Sequence, residues 1–565
     1  MRAKTDEQKK NQAAAYPLRL PFSVLALIIM IIWIFPGLLG HDPWKPDEAY
    51  SFGLVENILH TGDWLVPTLA DEPFMEKPPI YYLTAAAIVH LLSGVLPDYD
   101  AARLASGFYL ALTFLFTGLA ARELYGKGAG WLAPLLLLGC LGLAHRMHQM
   151  ITDVALLTGF AMGFYGLCIA SRRFLLGGFW LGTGTGLTFL SKGLLGPGIM
   201  GIFVSVLPVV HMHWRNKNYA STLLAAFVAF LPWALIWPLA LYWHSTSLFY
   251  EWFWTNNFGR FFGTVKLGPT KRSGFYFKTL LWISLPVWPM AAAALLRQPR
   301  RSIRKPVLLL PLVYFLVMLS VLGAASDARE LYALPMLLPL AILATPGCLG
   351  MPDFGVKLLG RSGIVLFSIG AAILWLVWLT VELKKPAVVY QYLRQQWPDV
   401  YVEFSLQLFF LAFACSLFWL LLIRWNGNDS RQSVLNWAGG AALIWALIMT
   451  LYLPILDQRK SYRQIFTEIR DYLPGPGECV SSRYLGEPQR ALLQYFAGLV
   501  TYRVEIPERH RNCNYMLIQY RGHAYDFLLT SMPGWTSVWR GRRPKSDEFY
   551  ILYKKNNNVL TIPVE

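Results

Sequence analysis

The stretch that decides the fold is the apolar run "PFSVLALIIMIIWIFPGLLG" (21–40), which the polar sequence "HDPWKPDEAY" (41–50) follows directly. A run of about 20 apolar residues is long enough to cross the hydrocarbon core of a bilayer. No small-residue cleavage site follows it, so we interpret the run as a retained anchor rather than a signal peptide. The chain therefore presents two adjacent carboxylates, Asp47 and Glu48, just outside a membrane span.

The composition of the chain excludes a soluble protein. Of its 565 residues 55% are hydrophobic and only 15% are charged, and 22 are tryptophan. A formal net charge of +17 would suggest nucleic acid as the partner of a soluble chain. In a membrane protein the same charge reflects cytoplasmic loops rich in Lys and Arg. We therefore predict a polytopic membrane protein that contacts lipid, binds no nucleic acid and is a monomer.

Charge patterning decides how many of the apolar segments span the membrane. Fourteen candidates lie near 21–40, 79–96, 101–120, 128–144, 154–170, 174–190, 193–211, 220–243, 276–296, 306–325, 331–349, 359–382, 405–423 and 434–455. The weakest, 79–96, begins at "KPP" and ends at Pro97, so we place it along the membrane surface. With thirteen spans, the loop "RQPRRSIRK" (297–305) and five other basic loops face the cytoplasm, as membrane proteins prefer. With fourteen, all of them would face outward.

The tail after residue 455 has the signals of a small α/β domain: a predicted helix at 462–472 and apolar strands "YMLIQY" (515–520) and "FYILY" (549–553). Cys479 and Cys513 lie in this tail and form a disulfide if it faces an oxidising compartment. Two free buried thiols are the alternative. The predicted fold is thus an all-α polytopic membrane domain of about thirteen transmembrane helices (1–455), with juxtamembrane helices in the outer loop 41–100, and an outer α/β domain (456–565).

Asp47 and Glu48 stand out among the eight carboxylates of residues 41–77, most of which a solvated acidic loop explains. They follow Pro46 in the first turn of a predicted helix that runs to about His60, where the helix dipole favours a carboxylate. A carboxylate at the membrane boundary can also deprotonate or orient an acceptor hydroxyl while a lipid-borne substrate arrives from the bilayer. We therefore predict that Asp47 and Glu48 are catalytic.

Four further outer segments contribute candidate substrate-binding residues. Each also has a structural explanation, such as a lysine that snorkels to water or an aspartate that caps a helix. Together, however, they place cations, carboxylates and aromatic rings on one membrane face, which favours a binding site there. The candidates are Lys77 and Tyr81 in "FMEKPPIYYL" (74–83), Asp153 in "HQMITDVALL" (148–157), Asn257 and Arg260 in "YEWFWTNNFGRFFGTV" (250–265), and Arg329 and Tyr332 in "SDARELYALP" (326–335).

At these residues the sequence resembles the polyprenyl-phosphate-sugar-dependent glycosyltransferases of the C superfamily. It is especially similar to the branch that contains lipid A aminoarabinose transferase and the protein O-mannosyltransferases. The likeness extends from about residue 20 to 350 and rests on seven stretches in order: "KPDEAY" (45–50), "EKPPIYYL" (76–83), "AARLASG" (101–107), "ITDVAL" (151–156), "LTFLSKG" (187–193), "NNFGRFFG" (256–263) and "LYALP" (331–335).

The resemblance implies a transferase of the bacterial inner membrane whose active site and C-terminal domain face the periplasm. It would move one sugar, with inversion, from a polyprenyl-phosphate donor to a lipid, glycan or protein acceptor, and lipid A is the leading acceptor. Asp47 would be the catalytic carboxylate with Glu48 beside it, and Lys77 and Arg260 would bind the donor phosphate. Asp153 would line the site and Tyr332 would contact the donor.

A divalent metal is the one cofactor that the resemblance suggests, because Glu76 matches a metal-holding position of aminoarabinose transferase. Two departures from the family pattern weigh against metal binding and against lipid A as the acceptor. The family often has an arginine after "DEA" or "DET", where this chain has Tyr50, and its metal-binding histidine corresponds to Asn257. No nucleotide is expected, because "GTGTG" (182–186) falls inside an apolar span, where small residues serve helix packing.

Two other classes of membrane protein remain as alternatives. A transporter or lipid flippase would place charged residues near the bilayer midplane, whereas the polar residues named above gather at the outer rim. A protein O-glycosyltransferase of the same fold would share the donor chemistry and differ in the acceptor.

Overall fold

A computed structural model describes residues 20–264, 274–297, 299, 303–326, 328–396, 404–424, 429–475, 477–507, 511–522, 532–543 and 546–556. Part of the basic loop 297–305 and the N-terminal tail used in the charge argument lie outside the described residues. Within them the chain forms a large helical body followed by a five-stranded sheet.

Helices dominate the chain. In order they are α1 (Phe22–Ile34), α2 (Asp47–Thr61), α3 (Ile80–Leu92), α4 (Asp98–Tyr125), α5 (Leu132–Leu138), α6 (Ala144–Met147), α7 (Thr152–Ile169), α8 (Phe174–Lys192), α9 (Leu195–Val210), α10 (Lys217–His244), α11 (Thr246–Tyr250), α12 (Arg260–Phe262), α13 (Phe275–Ile283), α14 (Val287–Leu296), α15 (Pro306–Ala324), α16 (Leu337–Leu349), α17 (Asp353–Leu383), α18 (Ala387–Gln396), α19 (Leu406–Arg424), α20 (Ser430–Leu451), α21 (Leu453–Lys460), α22 (Arg463–Glu468) and α23 (Glu487–Ala497). A π-helix (Glu251–Gly259) precedes α12, and 3₁₀ helices cover Lys127–Ala129, Met212–Trp214, Glu330–Met336 and Ile469–Tyr472.

The helices support the predicted polytopic class. In the described part of the chain, nine are long and apolar enough to cross a membrane: α4, α7, α8, α10, α15, Glu330–Leu349, α17, α19 and α20. α13 and α14 form a tenth candidate that is bent by 101°. The other three predicted spans correspond to the shorter apolar helices α1, Lys127–Leu138 and α9. The all-helical membrane fold is confirmed, and the number thirteen stays a prediction. The segment at 79–96 is the 13-residue helix α3.

The bend between α13 and α14 explains why the predicted span 276–296 is not one continuous helix. Pro286 has no N–H to continue the helical ladder. Broken backbone inside a membrane must find its hydrogen bonds elsewhere. The carbonyls of Ile283 and Leu285 accept hydrogen bonds from the N–H groups of Gly142 and Leu141, at 3.0 and 3.2 Å. The break in this span therefore pairs with the break that follows α5.

The C-terminal sheet has the strand order β4-β3-β5-β7-β6, with strands β3 (Val480–Arg483), β4 (Tyr502–Arg503), β5 (Tyr515–Arg521), β6 (Trp535–Arg542) and β7 (Glu548–Lys555). β3 pairs in parallel with β4 and β5, whereas β7 pairs antiparallel with β5 and β6. Alternate residues of β5 and β7 point to opposite faces. Leu517 and Leu552 join the main core and Ile518 and Ile551 form a separate cluster. The predicted strands at 515–520 and 549–553 and the predicted helix at 462–472 are confirmed. The boundary predicted at 455/456 falls within α21, and the division into domains stays a prediction.

Ion pairs fix the sheet domain to the first outer loop. Glu72, on the short hairpin of β1 (Thr68–Leu69) and β2 (Glu72–Pro73), pairs with Arg490 and Arg503 at 2.8 Å each. Lys45 pairs with Glu548 at 2.7 Å. α23 packs directly on α2, and a Cβ on Gly53 would lie only 2.6 Å from the Ala491 Cβ. The first residues of α23 are thereby held beside the start of α2.

Cys479 and Cys513 form a disulfide, with their Cα atoms 5.1 Å apart. Of the two alternatives that the sequence leaves open, the structure contains the bonded pair. The bond joins the residue before β3 to the segment before β5, which are neighbouring strands. The disulfide therefore fixes the parallel part of the sheet.

A buried arginine organises the outer end of the helical body. Arg103 of α4 is fully buried, and its guanidinium donates to Glu48 Oε1 at 2.9 Å and to Asp100 Oδ1 at 2.8 Å. It also donates to the backbone carbonyls of Leu38, His41 and Asp42. One side chain thus joins the end of the first span, the loop after it and the first turn of α2.

We expect Arg103→Leu to lower the free energy of unfolding by about 3–5 kcal/mol, because it leaves the buried carboxylates of Glu48 and Asp100 without their cation. The measurement is the thermal unfolding midpoint of the purified protein in detergent, together with the yield of folded protein. Arg361→Leu, at an exposed position of α17, is the matched control. Equal midpoints for the two variants would contradict the organising role of Arg103.

Candidate active site

The outer ends of several helices enclose a cavity of about 630 Å³, which we call the polar chamber. The C-terminal domain contributes to its wall through the start of α23. The polar and charged residues that line it are Asp47, Tyr50, Glu76, Lys77, Arg146, Asp153, Lys192, Arg260, Arg329, Glu330, Tyr332 and Glu487. Charged groups from distant parts of the chain therefore face one space on the outer side.

A second cavity of about 330 Å³, which we call the apolar groove, adjoins the polar chamber. Both are lined by Glu76, Lys77, Lys192, Arg260 and Tyr332. The rest of the groove is mainly hydrophobic, with Leu195 and Ile202 of α9, Phe262 of α12 and Leu322 of α15 among its lining residues. Ile202 and Phe262 are 46% and 70% exposed, so one flank of the groove faces the surroundings of the helices. The charged chamber thus opens sideways into an apolar channel.

Asp47 reaches the chamber from the first turn of α2. Its carboxylate accepts a hydrogen bond from the Tyr50 hydroxyl at 3.3 Å, and the Arg146 guanidinium lies 3.8 Å away. Lys77 in turn donates to the Tyr50 hydroxyl. Burial raises the pKa of Tyr50 well above its usual value, and the charge of Asp47 adds to the rise. Tyr50 is therefore a neutral hydrogen-bond donor that connects Lys77 to Asp47.

Lys77 precedes α3 in the segment where two prolines restrict the backbone. Burial lowers the pKa of Lys77, but the surrounding acidic groups, with Tyr82, Asp153 and Asp47 foremost, outweigh burial and leave the pKa above its usual value. The ammonium group lies 5.0 Å from the centre of the Tyr50 ring. Lys77 is therefore a cation held inside the chamber, not a side chain extended to bulk water.

Two further cations lie where the chamber meets the groove. Lys192, the last residue of α8, pairs with Asp153 and lies 4.0 Å from the centre of the Tyr332 ring. Arg260 follows the π-helix and donates to Glu76 at 2.9 Å. π-helical turns are frequent at functional sites because the extra residue redirects the side chains that follow. Three cations from separate segments thus surround the junction of the two cavities.

Two of the predicted site residues, Glu48 and Tyr81, lie outside the polar chamber. Glu48 is buried, and its carboxylate is occupied by Arg103 and by the backbone N–H groups of Trp44 and Met150. Tyr81 is also buried and its hydroxyl bonds to Ser106 at 2.7 Å. Neither residue lines the polar chamber. The sequence could not separate Glu48 from Asp47, because adjacent residues on a helix point about 100° apart and only the packing shows which one faces the cavity.

Asn257 lines the groove, but its amide supports the backbone. It accepts a hydrogen bond from Leu194 N at 2.8 Å and donates to Trp252 O at 2.7 Å. The contact requires glycine at the neighbouring position, because Gly193 has φ = +67° and a Cβ there would lie 1.9 Å from the Asn257 Oδ1. Asn257 therefore positions the link between α8 and α9, whereas the sequence predicts that its amide binds the substrate.

The chain is similar in sequence and in fold to known transferases. The chain is 28% identical over 453 residues to the undecaprenyl phosphate-α-4-amino-4-deoxy-L-arabinose arabinosyl transferase of Pseudomonas aeruginosa, covering 77% of this chain and 75% of that protein. The enzyme of the same name from Serratia proteamaculans is 24% identical over 561 residues, covering 94% and 96%. The crystal structure of ArnT from Cupriavidus metallidurans bound to undecaprenyl phosphate superposes with a TM-score of 0.69 at 16% identity, covering 94% of this chain and 97% of that one. No family model matches the chain.

The chain therefore has the fold of ArnT, and its sequence is similar to those of arabinosyl transferases. We call it the transferase below. As a multi-pass protein of the bacterial inner membrane, the transferase has its polar chamber at the ends of the helices opposite the basic loops. Its likeness to the ArnT structure extends over the C-terminal sheet domain, whereas the stretches recognised in the sequence end near residue 350.

The structure shows what the transferase has in place of the arginine expected after "DEA". Tyr50 occupies that position and bonds to Asp47, and Arg146 brings a guanidinium to the same carboxylate from the short helix α6. Sequence reasoning missed Tyr50, Arg146, Lys192 and Glu487. Lys192 stands at the end of an apolar span before Gly193, where a lysine normally indicates snorkelling. Glu487 lies beyond the region of resemblance and carried no sequence signal.

Glu487 is the contribution of the C-terminal domain to the chamber. It is the first residue of α23 and it lines the chamber beside Pro488. Burial, together with the nearby charge of Glu76 and against the opposing effect of Lys77, raises the pKa of Glu487 to about 7. Its carboxyl group therefore changes charge near neutral pH.

In the described part of the chain, the side chains around Glu76 do not form a set that fits a divalent metal. Glu76 is held by Arg260, and Asn257, at the position of the family's histidine, uses its amide for backbone contacts. Among the described residues, no group of three or more His, Cys, Asp or Glu side chains is arranged to hold a metal ion. A metal at Glu76 stays an untested prediction, and no step of the mechanism below uses one.

Proposed function

We propose that the transferase moves 4-amino-4-deoxy-L-arabinose from an undecaprenyl-phosphate donor to lipid A on the periplasmic face of the inner membrane. The names of the related enzymes support this donor. The observation that carries the proposal is the single chamber in which Asp47 and the cations Lys77, Lys192 and Arg260 meet, with an apolar groove attached.

The two cavities match the two parts of such a donor. The apolar groove accommodates the polyprenyl chain, which enters from the flank that Ile202 and Phe262 leave exposed. The phosphate then lies at the junction, where Lys77, Lys192 and Arg260 neutralise its charge. Fixed cations in a partly dry site stabilise a departing phosphate more strongly than water does. The sugar extends into the polar chamber.

Charge balance in the chamber favours an amino sugar. Five carboxylate residues (Asp47, Glu76, Asp153, Glu330 and Glu487) and five basic residues (Lys77, Arg146, Lys192, Arg260 and Arg329) line it. A donor with one phosphodiester and one protonated amine is also neutral overall, with its opposite charges separated by the sugar. Electrostatic complementarity of this kind provides specificity. If the sugar were neutral, the chamber carboxylates that lie far from the phosphate would have no partner on the substrate.

In the reaction, an acceptor oxygen of lipid A attacks the anomeric carbon as the bond from that carbon to the phosphate oxygen breaks. The electron pair of the broken bond remains on the phosphate, whose charge Lys77, Lys192 and Arg260 stabilise. Asp47 takes the proton of the attacking group or holds it in place. Attack from the side opposite the phosphate inverts the anomeric configuration.

Glu48 has a different part in this proposal. It accepts the guanidinium of Arg103 and the N–H groups of Trp44 and Met150, so it fixes the first turn of α2 against the segment before α7. Tyr50 and Arg146 then orient the Asp47 carboxylate. Glu48 is therefore a positioning residue, and Asp47 is the only member of the adjacent pair that faces the substrate.

We expect Asp47→Asn to reduce transfer by roughly 10²–10⁴-fold, the usual contribution of a positioned acid or base, without a change in the unfolding midpoint. The measurement is mass spectrometry of lipid A after incubation of the purified protein with donor and lipid A. Asp98→Asn, in the first turn of α4 and outside the chamber, is the control. A fully active Asp47→Asn variant removes the carboxylate from the mechanism.

Mass spectrometry of lipid A extracted from cells tests the identity of the acceptor. Deletion of the gene should remove the aminopentose from lipid A, and re-expression of the wild-type protein, but not of Asp47→Asn, should restore it. Loss of a sugar from a protein or a polysaccharide instead would replace lipid A as the acceptor while it leaves the donor chemistry in place.

We expect Lys77→Ala to weaken donor binding by roughly ten- to hundredfold, as for loss of a charged hydrogen bond in a buried site. Binding is measured by titration of a sugar-phosphate-polyprenyl donor analogue into the purified protein. Lys278→Ala, at an exposed position of α13, should leave the affinity unchanged. Equal affinities of wild type and Lys77→Ala would exclude Lys77 as a ligand of the donor phosphate.

Donor affinity should fall as the pH rises from 6 to 8. Glu487, with its pKa raised to about 7, ionises over this range and adds a negative charge to a chamber that binds a phosphate. The loss should be about 3–10-fold, an interaction of about 1 kcal/mol in a partly solvated cavity. The probe is a polyprenyl phosphodiester of a neutral sugar, because ionised Glu487 would attract the ammonium group of an amino sugar and because a phosphate monoester itself titrates near pH 6. Glu487→Gln should remove the part of this fall that is centred near pH 7, and an unaltered pH profile in this variant would exclude Glu487 as the cause.

A further inference from the structure

A third cavity, larger than the polar chamber, takes no part in the proposed reaction. It has a volume of about 830 Å³ and lies between α1, α4 and the segment Lys127–Leu138. None of its lining residues belongs to the polar chamber or to the apolar groove. Ile31, Phe35, Phe108 and Leu115 in its walls are each between 45% and 55% exposed. The cavity is therefore a furrow on the side of the helical body, and we call it the flank groove.

Short helices and small side chains leave the flank groove unfilled. α5 has only seven residues, so the segment Lys127–Leu138 covers α4 over part of its length. On α4, the positions that face the groove include Gly107, Ala111 and Gly118. From Leu104 to Arg122, the lining residues of α4 extend over about 27 Å at the helical rise of 1.5 Å per residue, close to the thickness of about 30 Å of the hydrocarbon core.

The flank groove is charged at one end only. Arg122 and Lys127 line that end, which belongs to the inner loop between α4 and α5. No acidic residue lines the groove. Glu123, the acid next to Arg122, pairs with Arg172 instead, and in the described part of the chain no carboxylate pairs with Arg122 or Lys127. Trp131 lies at the same end and is 38% exposed, as is typical of a side chain at the membrane interface.

We propose that the flank groove binds one anionic diacyl phospholipid of the cytoplasmic leaflet. Arg122 and Lys127 hold the headgroup phosphate, and an acyl chain lies along α4 past Gly118 and Leu115 towards Ala111. The cytoplasmic leaflet supplies anionic lipid, and basic residues near the membrane surface attract it with about 1 kcal/mol each. The charge lies at the end of α4 opposite Arg103, on the side away from the polar chamber, so a cytoplasmic-leaflet lipid and not the periplasmic donor is the occupant.

The test is native mass spectrometry of the full-length protein in detergent, titrated with phosphatidylglycerol or phosphatidylcholine of equal chain length. Wild type should retain one phosphatidylglycerol with roughly thirtyfold preference over phosphatidylcholine, as two basic side chains at the headgroup predict. Arg122→Gln with Lys127→Gln should reduce that preference to about one. Ala111→Trp, which fills the groove without a change of charge, should reduce retention of both lipids.

The control is Lys357→Gln with Arg361→Gln, which removes two exposed basic residues of α17 outside the flank groove and should leave the preference intact. Size-exclusion profiles and unfolding midpoints show whether each variant is folded. If the double variant is not folded, Lys127→Gln alone replaces it, because Lys127 is an exposed residue at the start of a 3₁₀ helix. No preference in the wild type, or an equal loss in the control, overturns the proposal. Because the readout is lipid retention, the result is independent of whether aminoarabinose transfer is observed.

Discussion

The buried guanidinium of Arg103 is the constraint on which the outer half of the protein depends. It contacts two carboxylates and three backbone carbonyls, so it satisfies polar groups that the turn after the first span would otherwise bury without partners. A charge that is completely removed from water is tolerated only with such a full set of partners. Because Glu48 is one of them, the direction in which α2 leaves the membrane is fixed, and with it the position of Asp47.

Around that fixed point, the chemistry of the chamber is assembled from the ends of elements. Asp47 and Asp153 lie in the first turns of α2 and α7, where the helix dipole stabilises a carboxylate. Lys192 is the last residue of α8, where the dipole stabilises a cation. These positions are favourable for the helices themselves. The cost of collecting charges in one cavity is therefore offset locally, and the pairs Lys192–Asp153 and Arg260–Glu76 neutralise most of the remainder. A phosphate that enters the junction competes with carboxylates already in place.

Much of the fold and of the candidate site was predictable from the sequence, because a membrane limits the structures that a chain can adopt. Apolar length and loop charge identified the helical segments, and Pro46 identified the start of α2. The sequence also predicted that Asp47, Lys77, Asp153, Arg260, Arg329 and Tyr332 lie on one face, and the structure places them in one chamber. Side-chain direction was not predictable: Glu48 and Tyr81 point into the core, and Asn257 turns to the backbone. Glu487 was inaccessible to sequence reasoning because its place in the chamber depends on how α23 docks on α2.

Near Asp47, the guanidinium group of this chain comes from a distant position in the sequence. The related family often has an arginine at the position of Tyr50, three residues after Asp47 on the same helical turn. This chain has a tyrosine there, and the guanidinium near Asp47 comes from Arg146, on a different helix. The hydroxyl of Tyr50 meanwhile accepts from Lys77 and donates to Asp47. Lys77 and Asp47, to which we assign the donor phosphate and the acceptor, are thus connected through one neutral group. Tyr50 holds the opposite charges close together without the direct ion pair that would neutralise both.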